Sequence, residues 1–181
     1  MRRRTLVQFL AMPGRPQRSD AAEYYFKYID QVSTDDVVSV MEDQLDEADE
    51  LFSHMSEERS LYRYAPGKWS IRQVVNHISD AERTFGFRAW WFARGFEAPL
   101  PSYDQNVAAA GAQADALPWR AHIEEFRSVR LGTVAFFRSL PEGAWARSGI
   151  ASDNHFTVQA LAFIIAGHFT HHAKILRTQY L

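Results

Sequence analysis

The sequence has 181 residues, 46% hydrophobic and 14% aromatic, which is typical of one globular domain and excludes a disordered chain. It contains no cysteine, so disulfides, thiolate metal sites and a cysteine nucleophile are excluded. The formal net charge is −2, with acidic and basic residues interspersed, and no apolar run approaches the ~18 residues of a membrane span. We therefore expect a cytoplasmic protein that binds neither nucleic acid nor membrane.

The chain begins with a segment that has little tendency to form regular structure. Residues 1–20 contain Pro13, Pro16 and an excess of basic residues, so they are predicted to form an extended tail. Residues 21–181 are predicted to form a single domain. Its opening segment, 21–29, is rich in aromatic residues and suits either a short helix or a packed strand.

The first long helix is predicted from about Asp35 to Met55, because apolar residues recur there at helical spacing. Either Ser33 or Thr34 can serve as its N-cap. The face opposite the apolar stripe is acidic and is expected to be solvated.

The second long helix begins after Ser70, which can form a capping box with Gln73. It is predicted to run to about Arg94, where Gly95 provides a C-terminal stop. Its buried stripe contains His77 between apolar residues.

The rest of the chain predicts two more helices separated by connections. Residues 95–117 are predicted to be a long connection, and Pro118 opens a third helix that ends before Pro141. A loop is expected over 143–154, after which Thr157 caps a last helix that runs to the C-terminus. Four long amphipathic helices without a convincing strand predict an all-α four-helix bundle.

Three histidines are candidate metal ligands because of where helical geometry puts them. His168 and His172 are separated by ~40° on neighbouring turns and share a face with apolar residues, whereas His171 lies at the edge of that stripe. An i, i+4 pair can hold one metal ion, and His77 on the second helix can supply a third imidazole. Such a site would leave coordination positions open. Spacing alone also permits the alternative that these are core histidines bonded to backbone.

The carboxylates near His77 in the sequence do not indicate a clear role at the site. The metalloprotease pattern HExxH is absent, because Phe169 follows His168 and Glu82 is expected away from the apolar stripe. Asp80 lies one turn from His77 and could orient it as a hydrogen-bond acceptor. A surface ion pair between Asp80 and Arg83 is the alternative.

Three segments together carry a resemblance to a known family. They are GKWSIRQVVNHISDAERTFGFRAWWFARG (67–95), LPSYDQN (100–106) and FTVQALAFIIAGHFTHHAKIL (156–176). In this order they resemble the DinB family, also called DinB/YfiT-like metalloproteins.

The resemblance implies both a fold and a site. Members of the family are four-helix bundles, commonly dimers, that bind a divalent metal through three histidines. Carried over to this sequence, the ligands are His77, His168 and His172. One divalent ion is therefore expected, Zn²⁺ or Ni²⁺ foremost, with Fe²⁺, Co²⁺ and Mn²⁺ as alternatives. A homodimer is expected as well.

The function implied first is metal-dependent transfer of a low-molecular-weight thiol to a small-molecule substrate. Arg83, Arg88 and Lys68 are candidate clamps for the thiol carrier, although each could be a solvated charge. Tyr103 and Asp104 could reach the metal cavity or could simply form a turn.

Two alternatives remain at this point. A metal-dependent hydrolase would need a carboxylate base, for which Asp80 is the candidate. A non-enzymatic, metal-stabilised bundle with a role in the stress response would need a closed site. The sequence offers no further inward ligand to close it.

Overall fold

A computed structural model describes residues 14–181 of the chain. Within this range there are seven α-helices and one two-stranded antiparallel hairpin. The helices are α1 (Phe26–Ile29), α2 (Val37–Ser53), α3 (Ile71–Ala93), α4 (Gln105–Ala112), α5 (Trp119–Arg138), α6 (Glu142–Trp145) and α7 (Val158–Ile175). The strands are β1 (Ser148–Ala151) and β2 (Asn154–Thr157). No helix in the described part of the chain is both long enough and apolar enough to cross a membrane.

The four long helices α2, α3, α5 and α7 form the bundle, which confirms the predicted fold class. Helix α3 packs against α5 and α7, and α2 packs against the same two helices. Helices α2 and α3, although consecutive among the long helices, have no comparable contact and lie across the diagonal. This order differs from an up-and-down bundle, in which consecutive helices are neighbours.

Two of the predicted helix starts are confirmed by their caps. The Ser70 hydroxyl accepts from the backbone N–H of Gln73 at 3.1 Å, and the Gln73 side chain accepts from the backbone N–H of Ser70 at 3.0 Å. The Thr157 hydroxyl accepts from the backbone N–H of Ala160 at 3.0 Å. These two helices carry the three candidate metal ligands. Local sequence signals therefore determine where both helices begin.

The predicted N-cap of the first long helix is wrong. Neither Ser33 nor Thr34 caps it, because the helix begins at Val37 and the Asp36 carboxylate accepts from the backbone N–H of Ser39 at 3.0 Å. Asp36 directly precedes the first apolar residue of the stripe. It is therefore better placed to reach the free N–H groups of the first turn.

The connection predicted over 95–117 is partly helical, which corrects that expectation. It contains α4 and a 3₁₀ turn at Ala114–Ala116. The Asp104 carboxylate caps α4 by accepting from the backbone N–H groups of Asn106 (2.8 Å) and Val107 (3.3 Å). Half of the residues in this helix are alanine, and it has no stripe of large apolar residues that would reveal it in the sequence.

The prediction of a loop over 143–154 is also wrong, because these residues form most of α6 and of the hairpin. The strands are joined by Ser152 and Asp153, with φ of 51° and 59°. Positive φ at both positions is the signature of a type I′ hairpin turn. The strands are four residues each and lack a strong alternation of apolar residues, which is why the sequence does not reveal them.

Residues 1–13 of the predicted tail lie outside the described residues. Residues 14–20 lie against the domain, where Arg15 donates to the carbonyl oxygens of Ile29 and Val32. The aromatic segment that follows takes the helical alternative, as a 3₁₀ turn followed by α1. The domain boundary at residue 20 stays a prediction.

A buried polar network joins all four long helices. Arg130 of α5 forms an ion pair with Glu82 of α3, with 2.8 Å between Nη2 and Oε2, and also donates to the Gln44 side chain of α2. The Gln44 amide in turn donates to the Ala166 carbonyl (2.9 Å) and the Thr170 hydroxyl (3.0 Å) of α7. We call Arg130, Glu82 and Gln44 the polar layer.

The polar layer separates two apolar clusters of the described core. On α2, Met41 belongs to one cluster and Ala48 to the other; on α5, Val134 and Phe126 divide in the same way. The expectation that Glu82 lies away from the buried stripe is therefore wrong. It is buried, one turn after Ile78, because Arg130 compensates its charge inside the bundle.

Candidate metal centre

Three imidazoles converge between α3 and α7. Helix α3 supplies His77, and α7 supplies His168 and His172 from neighbouring turns. One ligand atom from each residue lies within 4.8 Å of the others, and Nε2 of His168 is 3.2 Å from Nε2 of His172. His171 does not belong to this group; its ring packs against Tyr28, with 5.3 Å between the centroids.

The donor set fits a divalent metal ion. Bonds of ~2.0 Å in a tetrahedral site put two ligand nitrogens roughly 3.3 Å apart, close to the spacing of the His168 and His172 nitrogens. The Nδ1 atom of His77 is buried and has no hydrogen-bond partner within residues 14–181. Three neutral nitrogen donors suit Zn²⁺, Ni²⁺, Fe²⁺ or Co²⁺.

All three imidazoles are held in the neutral form. Burial lowers the pKa of His77 to about 4. Burial and then the neighbouring His77, His171 and Lys27 lower the pKa of His172 to about 3. The pKa of His168 is well below its ordinary value, mainly because of burial. Their ring nitrogens are therefore available as metal donors at neutral pH.

The site lies between two cavities. One, of about 170 Å³, adjoins His77 and His168. Its other lining residues are Tyr24, Tyr25, Tyr28, Ala81, Phe85, Arg88, Tyr103, Gln105 and Ser152. A second cavity, of about 220 Å³, adjoins His172 and is also lined by Lys68 and Trp69. We call the first of these the tyrosine cavity.

A glycine allows α1 to approach the site. A Cβ atom at Gly167 would lie 2.0 Å from the backbone oxygen of Tyr28, so only glycine fits there. This contact brings the Tyr28 ring to 5.1 Å from the His168 ring, measured between centroids. The aromatic segment gave no sign in the sequence that it would line the site.

The structure puts Asp80 in an ion pair and not in contact with His77. Its carboxylate is 3.3 Å from Nη1 of Arg83, which also pairs with Glu125 at 2.7 Å. Burial raises the pKa of Asp80, and Arg83 opposes that shift. The surface ion pair, one of the two alternatives from sequence, is therefore the contact observed.

Of the two residues in the long connection that could reach the metal cavity, only Tyr103 lines it. Tyr103 lines the tyrosine cavity, and its hydroxyl is buried without a hydrogen-bond partner among the described residues. Asp104 instead caps α4. Of the candidate clamps, Arg88 lines the tyrosine cavity, Lys68 lines the second cavity, and Arg83 is exposed.

Comparisons with known proteins agree on the fold. The YfiT protein of Bacillus subtilis, described as a probable metal-dependent hydrolase with an unusual four-helix bundle topology, has a similar structure, with a TM-score of 0.69 and 18% identity. That match covers 90% of this chain and 91% of YfiT. A mycothiol-dependent maleylpyruvate isomerase matches with a TM-score of 0.67 and 12% identity, over 81% of this chain and 61% of the isomerase. No curated protein sequence matches the chain.

The family is shown by sequence as well. The family model of the DinB superfamily matches residues 41–176, which include all three histidines. This match confirms the resemblance found in the sequence, and the likeness to YfiT confirms the bundle type. The chain therefore belongs to the DinB superfamily.

Proposed function

We propose that this protein is a metal-dependent transferase acting with a low-molecular-weight thiol, and that His77, His168 and His172 hold its metal ion. The observation that carries the proposal is the convergence of three neutral imidazoles beside a cavity. A divalent metal bound there, Zn²⁺ or Ni²⁺ foremost, supplies a Lewis acid that lowers the pKa of a thiol.

The surrounding residues support binding of a small molecule next to the histidines. The rings of Tyr28 and Phe85 lie beside His168 and limit access of water to that face. Arg88 and Tyr103 contribute polar groups farther along the same cavity. The histidines act as ligands in this proposal and do not transfer protons.

A metal-dependent hydrolase is the second candidate, and it is the activity ascribed to YfiT. Hydrolysis needs a base for water, yet the described lining of the tyrosine cavity contains no Asp or Glu. Asp80 is engaged by Arg83, and Glu82 is engaged by Arg130. The geometry therefore favours a thiol as the nucleophile.

Metal content tests the site directly. Protein purified without a metal-affinity tag should contain about one equivalent of metal by mass spectrometry, and His168→Ala should lose it. His171→Ala is the matched control, because it removes a neighbouring histidine outside the group of three, and it should keep the metal. Equal metal content in both variants would overturn the assignment.

Cobalt substitution tests the reaction class. The absorption spectrum of the Co²⁺-loaded protein should change when a thiol is added, since a metal held by three histidines would leave a coordination position for sulfur. A spectrum that does not respond to thiol would instead favour a closed structural site, as in the non-enzymatic, stress-response alternative.

We also propose that the protein is a homodimer. Aromatic residues cluster on its surface at the C-terminal end of α3, and Phe87, Trp90 and Phe96 are 50%, 38% and 44% exposed. We call these three residues, with the partly buried Trp91, the aromatic patch. An exposed patch of this kind is typical of an interaction surface.

A cytoplasmic location stays a prediction of the sequence.

A further inference from the structure

Arg88 lies on the same face of α3 as His77. The two residues are eleven positions apart, about three turns and ~16 Å of helical rise, and Ala81 and Phe85 lie between them on that face. The Arg88 side chain is only 4% exposed, and it lines the tyrosine cavity together with His77 and His168. A buried positive charge therefore lines the same cavity as two histidines of the candidate metal centre.

This charge has no acidic partner, unlike the other buried arginines of the described chain. Arg130 is paired with Glu82, and Arg72 is paired with Glu57. No ion pair is formed by Arg88 within residues 14–181; burial lowers its pKa, and the neighbour that opposes this shift is Tyr25. Burying an uncompensated charge is costly, so an anion is expected to accompany it.

The hydrogen bonds of Arg88 leave donors available. Its Nη2 donates to the Pro101 carbonyl at 3.1 Å and to the Ser152 hydroxyl at 2.8 Å. Tyr25 is also a side-chain hydrogen-bond neighbour of Arg88. A guanidinium has five N–H donors, so these three contacts leave part of them without a partner. Ser152 occupies the positive-φ turn of the hairpin, where a non-glycine residue is unfavourable, and its side chain holds the arginine.

Tyr103 lines the same cavity, and its hydroxyl is buried without a partner within the described chain. It can donate to the same anion. The described lining contains no carboxylate. The two carboxylates whose charge acts on Tyr103 are engaged elsewhere, Asp80 by Arg83 and Asp104 as the cap of α4. The fork of donors on a guanidinium is suited to a carboxylate, which accepts two parallel hydrogen bonds.

We infer that Arg88 and Tyr103 bind a carboxylate of the small molecule that reacts at the histidines, an inference that rests on the proposed function. Three helical turns separate Arg88 from His77, so the carboxylate is several bonds away from the reacting atom. The cavity volume of about 170 Å³ limits the ligand to a compact organic acid. That acid is either the thiol itself or the molecule that the thiol attacks.

Titration of the metal-free protein with propionate, followed by calorimetry and by the arginine Nε–H signals in NMR, tests the carboxylate site. The Kd for propionate should rise at least tenfold in Arg88→Lys, which keeps the charge but loses the fork. Tyr103→Phe removes a hydroxyl without a described partner, so it should fold normally and weaken binding several-fold. Arg83→Lys, an exposed arginine on the same helix, should bind like the natural protein.

The outcomes separate the possible sources of the carboxylate. With Co²⁺-loaded protein, a tenfold tighter response to 3-mercaptopropionate than to 3-mercaptopropanol, abolished in Arg88→Lys, would put the carboxylate on the thiol. Equal responses, with propionate binding retained beside the thiol, would put it on the second reactant. Either result supports the inference.

Other outcomes overturn it. These are no binding of propionate, equal affinity in the natural protein, Arg88→Lys and Tyr103→Phe, or tighter binding of inorganic phosphate than of propionate. Failure of the proposed function is recognised separately. His168→Ala should lose metal yet keep its propionate affinity, whereas Arg88→Lys should lose affinity yet keep about one equivalent of metal.

Discussion

The neutral histidines of the candidate metal centre make the metal-free protein sensitive to acid. Their pKa values in the folded state, about 4 for His77 and about 3 for His172, lie below the ordinary value near 6.5. Below pH ~6.5 the unfolded chain therefore binds more protons than the folded chain. The free energy of unfolding must fall as the pH falls from ~6.5 towards 4.

We expect the metal-free protein to lose about 2 kcal/mol of stability for each of His77 and His172 between pH 7.5 and pH 5. Urea denaturation at both pH values measures this loss. Because other groups also titrate, the comparison is with a variant in which His77, His168 and His172 are all glutamine. An equal loss in both proteins would show that the three histidines are not held neutral.

The ion pair in the polar layer is the other residue-scale feature with a large expected effect. Arg130 and Glu82 are both buried, so Glu82→Gln leaves an unpaired guanidinium in the core. We expect a loss of about 3–5 kcal/mol in the free energy of unfolding. Replacing both residues, as Glu82→Leu with Arg130→Met, should recover most of that loss.

An exposed ion pair provides the control. Arg127 and Asp49 are each about half exposed, and Asp49→Asn should change stability by no more than about 1 kcal/mol. If Glu82→Gln were as mild as Asp49→Asn, the buried charge of Arg130 would have found other compensation. Denaturant unfolding measures all of these variants on one scale.

Sequence periodicity predicted that the three histidines face inward, but it did not predict the polar layer. Periodicity placed His77, His168 and His172 inward, and the structure brings them together. Arg130 follows the buried Phe126 by four positions, so the same periodicity predicts it inward too. Charged residues are normally expected to face solvent, so the sequence does not predict a buried ion pair. Only the three-dimensional fold shows that Glu82 compensates the charge of Arg130.

At the scale of elements, the contact between α1 and α7 depends on Gly167. Its alanine variant would force the Tyr28 backbone away, and overpacking of this kind typically costs about 1–3 kcal/mol. Gly132 of α5 is the matched control, because nothing lies within 4 Å of a Cβ atom there. Gly132→Ala should stabilise the protein by up to about 1 kcal/mol.

Thermal or urea unfolding distinguishes the two glycine variants. The Gly167→Ala variant should also show altered NMR shifts for His168, because the Tyr28 ring lies beside that imidazole. Equal stability of the two variants would mean that α1 can move away from α7 without lowering the free energy of unfolding.

Elements with strong local signals were predicted well. Helix α3 has its capping box and α7 has its threonine cap, and both begin where the sequence indicates. Helix α4 and the hairpin were missed, because their residues carry neither an apolar stripe nor a turn of glycine or asparagine. Their positions are set by contacts distant in sequence, such as the hydrogen bond from Leu100 to the Ile150 carbonyl.

For the whole molecule, the prediction to test is the homodimer. Sedimentation analysis should give a dimer for the natural protein and a monomer for a variant with Phe87→Ser and Trp90→Ser in the aromatic patch. Leu131→Ser is the control, because Leu131 is also exposed, at 48%, but lies on α5 outside the patch. A natural protein that sediments as a monomer would exclude this interface.

The polar layer also has a consequence for how the bundle chooses its arrangement. Apolar surfaces tolerate sliding, since one leucine replaces another at little cost, but a guanidinium does not. A slip of α5 by one turn, ~5.4 Å along its axis, would carry Arg130 away from Glu82 and into an apolar cluster. The buried ion pair therefore fixes the axial register of α5 against α3. It thereby also fixes the position along the bundle axis at which His77 of α3 faces α7.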